Sequence, residues 1–324
     1  MEDFRNESFL DFTKPEHRRA QEAAIAGFTK AHCPLVIGDR EIETAEQIVR
    51  VNPCRPDQTV GSASKASKQQ AEEAVRTAAK AFESWSRTPA AKRADVLFRA
   101  AAIMRRRRYE LNATMILEVA KSWIEADADT AEAIDFCEFY AREMLRYDAM
   151  NPVTPVPGEK NQGFYIPLGV GLVIAPWNFP CAILAGMTTA AVVTGNTVVM
   201  KPASSAPVIA FKVMEILREA GLPPGVVNYL PCSGGEVGDS LVDHRQTRFV
   251  CFTGSREVGV RIYERAAKVH PGQIWLKRVV AEMGGKDAII VDDDADLEVA
   301  ASGVVAAAFG FQGQKCSACS RLIA

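Results

Sequence analysis

The sequence has almost no net charge, since 38 lysines and arginines against 40 acidic residues give −2 at pH 7. The basic excess that nucleic acids and anionic membrane surfaces attract is absent, so neither partner is expected. Long apolar runs are also missing, because glycine, threonine and asparagine interrupt the most apolar region, 183–200. Residues 1–4 lack the basic segment and apolar core of a signal peptide, and we expect a cytoplasmic location.

Histidine is scarce, and the four present form no ligand pair. No second C-x-x-C exists to complete a zinc site, so no metal site is predicted. The eight cysteines are scattered, mostly among apolar neighbours, which is typical of reduced thiols rather than of a disulfide framework. Only Cys316 and Cys319 have C-x-x-C spacing. We interpret Cys319 as a packed neighbour, although oxidation could join the two in a disulfide.

The first half of the chain reads as an arm followed by helices. Prolines punctuate residues 1–60, and the irregular pattern predicts an arm that lies across another surface. Ser67 and Gln70 form a capping-box pattern before apolar residues at helical spacing. The basic run 105–108 falls within a helical stretch, 94–119, and favours a solvated face over a phosphate site.

Strands alternate with helices beyond about residue 153. Buried-strand patterns cover 171–175, 197–200, 226–230 and 249–252, and helical patterns begin near 181, 206, 236 and 255. This alternation predicts an α/β fold with a parallel sheet covered on both faces. Ligands of such sheets bind beyond the carboxyl ends of the strands, so functional residues are expected in the turns that follow them.

Polar side chains follow the first two of these strands. Asn178 stands in the turn P-W-N-F-P, 176–180, where its amide either caps the next helix or donates to a developing negative charge. Lys201 and Ser204, in K-P-A-S, lie where a nucleotide ribose would meet the sheet. The alternative for Lys201 is an ordinary solvated lysine.

Glycines mark the later turns. Gly254 follows the fourth strand, and Ser255 can begin a helix whose free N–H groups attract phosphate, although a plain strand-to-helix turn has the same spacing. Glu282, in E-M-G-G-K, ends a further strand beside Gly284. Apolar surroundings would raise the pKa of its carboxyl toward the range of a general base, and the alternative is a solvent-facing glutamate.

The stretch F-G-F-Q-G-Q-K-C-S-A-C-S, 309–320, follows an Ala/Val-rich helical pattern. Such small and polar residues give up packing, but they can expose Cys316 together with its backbone N–H. A reactive cysteine needs an electropositive or helix-terminal setting. Cys316 is therefore the candidate nucleophile.

Five of these contexts occur in one order: P-W-N-F-P, K-P-A-S, F-T-G-S, E-M-G-G-K and G-Q-K-C. Together they resemble the aldehyde dehydrogenase family, from about Asn52 to Ala324. The resemblance implies a Rossmann-like, doubly wound parallel sheet over 61–283 that binds NAD. It also implies that a second α/β domain, the catalytic one, begins at 284–324 after an N-terminal arm at 1–60.

The resemblance also implies a chemistry. Cys316 would attack the carbon of an aldehyde, the Asn178 amide and the Cys316 N–H would hold the oxyanion, and Glu282 would activate the water that hydrolyses the resulting thioester. The implied cofactor contacts are Ile174, Pro176, Trp177, Lys201, Ser204, Gly254, Ser255 and Gly284. Relatives often have glutamate at the position of Ser204, so we expect a preference for NAD with some use of NADP.

Three segments narrow the resemblance: Q-G-F-Y-I-P-L-G, 162–169; P-G-Q-I-W-L-K-R, 271–278; and G-F-Q-G-Q-K-C-S-A, 310–318. They are similar to the branch that oxidises glutamate γ-semialdehyde, the open form of 1-pyrroline-5-carboxylate, to glutamate in proline breakdown. Family members continue well past the nucleophile. We therefore expect a truncated piece of a longer, homo-oligomeric enzyme, with reduced or no activity of its own.

Other functions stay open at this point. A cysteine hydrolase would need a histidine base, and the nearest candidate, His244, lies in a polar D-H-R turn without a supporting pattern. A nucleotide-binding remnant without catalysis and a different semialdehyde dehydrogenase are the remaining alternatives.

Overall fold

The computed structural model describes residues 3–149 and 152–324. The first two residues of the predicted arm, on which the cytoplasmic prediction partly rests, lie outside the described residues. The helices are α1 Pro15–Ala26, α2 Lys68–Trp85, α3 Ala90–Arg106, α4 Arg108–Val119, α5 Trp123–Ala149, α6 Ala182–Val193, α7 Pro207–Glu219, α8 Asp239–Asp243, α9 Arg256–Ala266 and α10 Leu297–Phe309.

The strands are β1 Ala31–Cys33, β2 Leu35–Ile37, β3 Arg40–Ile42, β4 Gln47–Asn52, β5 Arg55–Ser64, β6 Val170–Ile174, β7 Thr197–Lys201, β8 Val227–Tyr229, β9 Thr247–Thr253, β10 Arg278–Glu282, β11 Asp287–Ile290 and β12 Cys319–Ile323. The largest sheet has seven strands in the order β10-β9-β6-β7-β8-β2-β3. The strands β10, β9, β6, β7 and β8 run parallel to one another, which confirms the predicted α/β fold.

Both faces of this sheet are covered. Alternate residues of a strand point to opposite faces. Leu172 of β6 accordingly packs in a core with α2, α8 and α9, whereas Val173 packs in a core with α3, α5, α6 and α7. Gly171 faces the ring of Phe249 on β9, and a Cβ at this position would be 2.2 Å from Cζ of that ring. The aromatic ring thus fills the space above the glycine.

The N-terminal segment is more regular than predicted. It contains α1, and β2 and β3 extend the large sheet by antiparallel pairing beside β8. β1, β5 and β4 form a separate three-stranded sheet, and β5 runs across the predicted boundary at residue 60. The expectation of an irregular arm over 1–60 is therefore wrong for the part that forms β1 to β5. The domain boundaries themselves stay predictions.

The basic run 105–108 does not form a solvated face on one helix. The helix breaks at Arg107, and Arg108 begins α4 with only 7% of its surface exposed. Its guanidinium donates twice to the carboxylate of Asp127, at 2.7 Å each. Arg105 donates to Glu138 at 2.8 Å. The prediction is wrong for Arg108, which α5 and the N-terminal segment cover, whereas Arg105 and Arg106 are exposed as predicted.

The α/β pattern resumes after the large sheet. β11 and β12 pair in parallel, and α10 lies in the connection between them. This is the expected beginning of a second α/β unit. Among the residues described, no helix combines the length and apolar character needed to cross a membrane.

Candidate active site

A cleft of about 520 Å³ lies at the carboxyl ends of the parallel strands. The turns that follow β6, β7, β9 and β10 line it, together with the turn before Cys316. Strand ends of a parallel sheet meet at one edge, which is why residues distant in sequence converge there. The position agrees with the expectation that function lies in these turns.

Most of the predicted site residues meet in this cleft. Its lining includes Pro176, Trp177, Asn178, Gly254, Ser255, Gly284 and Cys316. The predicted residues outside the lining are Ile174, Lys201, Ser204 and Glu282. Lys201 ends β7 almost fully buried, with Nζ donating to the carbonyl of Pro202 at 3.3 Å, so it is no ordinary solvated lysine. Ser204 is exposed in the same turn.

Asn178 does not cap the following helix. Its Nδ2 donates to the carbonyl of Gln314 at 2.8 Å, and its Oδ1 accepts from the N–H of Phe179 at 3.1 Å. The N-cap position of α6 is Cys181 instead. An amide nitrogen has two hydrogens, so the bond to Gln314 leaves one N–H for a ligand. The side chain is thus fixed beside the turn that bears the cysteine.

Cys316 is a partly buried free thiol at the end of a tight turn. Phe311 and Gln312 have φ of +51° and +54°, in the left-handed region that costs free energy for residues other than glycine. Gly285 packs against the turn, because a Cβ there would be 3.0 Å from the carbonyl oxygen of Cys316. Cys319 is also a free thiol, so the two are not joined.

Cations lie close to this turn. Lys315, which precedes Cys316, places Nζ 3.3 Å from Oε1 of Glu125. The carboxyl of Glu132 also lies within reach of Lys315, and burial, the largest cause, raises its pKa. The charge of Lys315 is therefore directed at two carboxylates, and the electropositive setting expected for Cys316 stays a prediction.

Glu282 lies at the rim of the cleft rather than in apolar surroundings. It ends β10 opposite Thr253, and its backbone carbonyl accepts from the N–H of Gly254 at 3.1 Å. Its side chain is exposed. The expectation of apolar surroundings was wrong, because β10 is the outermost strand of its sheet in the described part of the chain. Its neighbours Met283 and Gly284 do line the cleft.

Ser255 begins α9, as predicted. Its hydroxyl accepts from the N–H of Val258 at 3.4 Å, and both residues line the cleft. The preceding Gly254 is required by packing, since a Cβ there would be 2.7 Å from Cζ of Phe252. The first turn of a helix carries free N–H groups and a partial positive charge. This wall of the cleft can therefore hold an anion.

Sequence reasoning missed a buried cation beneath the site. Nζ of Lys121 lies 3.0 Å from the carboxylate of Asp129, and both side chains are completely buried. The same nitrogen lies 4.1 Å from the ring centroid of Phe179 and 4.6 Å from that of Phe311. The available signal was Asp129, which stands inside an alanine-rich helical pattern. A carboxylate buried by such a helix needs a cation or a hydrogen-bond donor as its partner.

Comparison with known proteins identifies the family. The aldehyde dehydrogenase family matches residues 41–324. The 1-pyrroline-5-carboxylate dehydrogenases of Anoxybacillus flavithermus and Geobacillus kaustophilus are each 59% identical to the chain, over 327 and 329 residues. These alignments cover 100% of this chain but 64% and 63% of the relatives, so the chain spans less than two thirds of their length.

A solved structure shows the same fold. The 1-pyrroline-5-carboxylate dehydrogenase from Thermus, crystallised with bound NAD, superposes with a TM-score of 0.96 at 54% identity. The match covers 99% of this chain and 63% of that one. The ordered motifs, the parallel sheet and the cleft that holds Asn178 and Cys316 agree with this similarity. The chain belongs to the aldehyde dehydrogenase family.

Proposed function

We propose that this chain carries the nucleotide-binding part and the nucleophile of an NAD(P)-dependent aldehyde dehydrogenase. The observation that carries the proposal is the hydrogen bond of 2.8 Å from the Asn178 amide to the carbonyl of Gln314, two residues before Cys316. It places an amide donor and a thiol in one cleft at the carboxyl ends of the sheet. A donor beside a nucleophile is what addition to a carbonyl group requires.

The cleft residues have distinct roles in this reaction. The thiolate of Cys316 adds to the aldehyde carbon, and the free N–H of Asn178 with the Cys316 backbone N–H stabilises the oxyanion that forms. A dinucleotide held by Pro176, Trp177, Gly254 and Ser255 would supply an acceptor for the hydride of this adduct. Glu282 at the rim takes a proton from the water that hydrolyses the resulting thioester, which releases a carboxylate and restores the thiol.

The residues of the cleft fit a dinucleotide. The first turn of α9, after Gly254 and Ser255, offers free N–H groups to a pyrophosphate. Lys201 ends β7, the neighbour of β6 in the sheet, and Ser204 follows it, so both lie at the edge where an adenine ribose would bind. Ile174, Pro176, Trp177 and Gly284 complete the proposed contacts. The NAD-bound Thermus relative supports this assignment.

The proposed substrate is L-glutamate γ-semialdehyde, the open form of 1-pyrroline-5-carboxylate. The support is the name shared by relatives that are 59% identical over the whole chain. The alternative is a dehydrogenase for a different semialdehyde. Comparing the rates of NADH formation with several aldehydes would test it. The homo-oligomeric state of the longer protein and the cytoplasmic location stay predictions, which size measurement and cell fractionation would check.

The catalytic proposal is tested by the Asn178→Ala variant. Loss of an oxyanion donor lowers the rate by about 10²–10³, so NADH formation should nearly stop. Quenching of tryptophan fluorescence should show that NAD still binds. The control Asn161→Ala removes an exposed amide that donates to Glu159, and it should keep full turnover.

Two outcomes would contradict the proposal. Normal turnover in the Asn178→Ala variant would remove the amide from the reaction. NAD binding without NADH formation from any aldehyde, measured on the longer protein that contains this chain, would favour a nucleotide-binding protein without catalysis.

The cofactor preference has its own test. Serine at 204 does not repel a 2′-phosphate, so titration should show NAD preferred and NADP used. The Ser204→Glu variant adds a carboxylate at an exposed position, and the affinity for NADP should fall while that for NAD is kept. Complete discrimination against NADP by the unaltered protein would reject the role of this residue.

A further inference from the structure

Lys121 is a charged residue that the proposed reaction does not use. It follows Ala120, whose φ of +55° ends α4 and turns the chain inward. Lys121 and its partner Asp129 are fully buried, at an N–O distance of 3.0 Å. Burying two charges costs free energy that their attraction only partly returns, so stability alone is a weak explanation. The position of the lysine relative to the site is more informative.

The ammonium group of Lys121 lies against two aromatic rings from opposite sides of the cleft. Phe179, at 4.1 Å, follows Asn178 directly. Phe311, at 4.6 Å, belongs to the turn that leads to Cys316. The rings also meet edge to face at 5.9 Å. The face of an aromatic ring attracts a cation, and more strongly when the cation is shielded from water, so the lysine holds both rings.

The partner carboxylate acts on the same wall of the cleft. Oδ1 of Asp129 accepts from the N–H of Ala182 at 2.7 Å. This N–H belongs to the first turn of α6, whose own N-cap residue, Cys181, provides no side-chain bond. Asp129 on α5 therefore supplies the missing cap. The start of α6, directly after the turn with Asn178, is tied to the same ion pair.

The turn that Lys121 holds needs an anchor. Phe311 has a left-handed backbone, which an aromatic residue adopts only when its surroundings enforce it. Its side chain is only 5% exposed, and the amide of Asn178 joins the two walls a second time through Gln314. Two contacts therefore join the turn after β6 to the turn before Cys316. One is the Lys121 ammonium group between the two rings, and the other is the hydrogen bond from Asn178 to Gln314.

We propose that Lys121 is a positioning residue, which sets the distance between the Asn178 amide and the Cys316 thiol by holding Phe179 and Phe311. Lys121 does not line the cleft and touches no substrate. The inference rests on the roles proposed above for Asn178 and Cys316. It is tested by a measurement that needs neither aldehyde nor cofactor.

The experiment measures the rate at which iodoacetamide alkylates Cys316, followed by peptide mass spectrometry. The Lys121→Met variant keeps an unbranched side chain, one atom shorter, and removes the charge. The turn before Cys316 then loses its anchor and opens more often, so alkylation should accelerate by about threefold or more. The Lys121→Arg variant retains a cation that stacks on aromatic rings, and it should restore the slow rate.

A matched control separates positioning from general loss of stability. Arg108→Met breaks another buried ion pair to α5, with Asp127, and should lower the melting temperature comparably. It should leave the alkylation rate of Cys316 unchanged. The double variant Lys121→Met/Asp129→Asn leaves no unpaired charge and provides the same test if the single variant does not fold.

The proposal is overturned if Lys121→Met alkylates at the rate of the unaltered protein, or if Arg108→Met accelerates the reaction equally. It is also overturned if Lys121→Arg behaves like Lys121→Met. Failure of the proposed function would look different, since it would appear as normal turnover in Asn178→Ala and would leave these alkylation rates as they are.

Discussion

Replacing Glu118 by glutamine should remove a pH dependence from the stability of the protein. Glu118 lies fully buried on α4. Its two carboxylate oxygens accept from the backbone N–H groups of Val208 and Ile209, at 2.7 Å and 2.9 Å, in the first turn of α7. Burial raises the pKa of this carboxyl from 4.5 to about 7, against the lowering effect of the two N–H groups and of Arg50.

The sign follows from proton binding. The folded protein holds this proton more tightly than the unfolded chain does, so the stabilisation is complete below pH 4.5 and is lost as the pH rises through about 7. At about 1.4 kcal/mol for each pKa unit, the loss amounts to about 3 kcal/mol. Glutamine does not ionise, and the Glu118→Gln variant therefore lacks this loss.

The assay is urea unfolding of both proteins at about pH 5 and about pH 8, on either side of most of this titration. Between the two conditions, the difference in the free energy of unfolding should move by about 3 kcal/mol in favour of the variant. The exposed residue Glu83 provides a control, since Glu83→Gln should change the free energy of unfolding by a similar amount at both pH values. If the difference in the free energy of unfolding between Glu118→Gln and the unaltered protein is the same at both pH values, the reasoning is refuted.

Two further predictions concern glycines with neighbours of known distance. Gly171→Ala places a methyl group 2.2 Å from Cζ of Phe249, and such overpacking should cost about 1–3 kcal/mol in thermal unfolding; an unchanged melting temperature would contradict this. In Gly285→Ala the new methyl group would be 2.8 Å from Oδ2 of Asp287 and 3.0 Å from the carbonyl of Cys316, and misplacement of the thiol should lower turnover by about tenfold. In Gly284→Ala the new methyl group meets no atom within 4 Å, so the alkylation rate of Cys316 should stay unchanged.

The central sheet was predictable because its strands are buried on both faces. Such strands read as continuous apolar runs, and the predicted 171–175 corresponds to β6 at Val170–Ile174. β2 and β3 were not predictable, because three residues carry no recognisable period. Their structure comes from pairing beside β8, which is far away in sequence.

The site was predictable where local context carries the chemistry. Asn178 and Cys316 stand in distinctive turns, and the structure places both in one cleft. The surroundings of Glu282 and Arg108 were not predictable, because exposure depends on which elements cover a residue in space. The same reason hides Lys121, whose ring contacts come from two turns that only the folded chain brings together.

The connection 283–286 joins the large sheet to the β11–β12 pair, and the cleft lies across it. Asn178 and Ser255 belong to one side of this connection, whereas Cys316 belongs to the other. A rotation about it would leave both sheets intact but would break the hydrogen bond from Asn178 to Gln314 and the ring contacts of Lys121. A ligand that contacts both sides would oppose the same rotation, so these protein contacts and the ligand would stabilise one width of the cleft together.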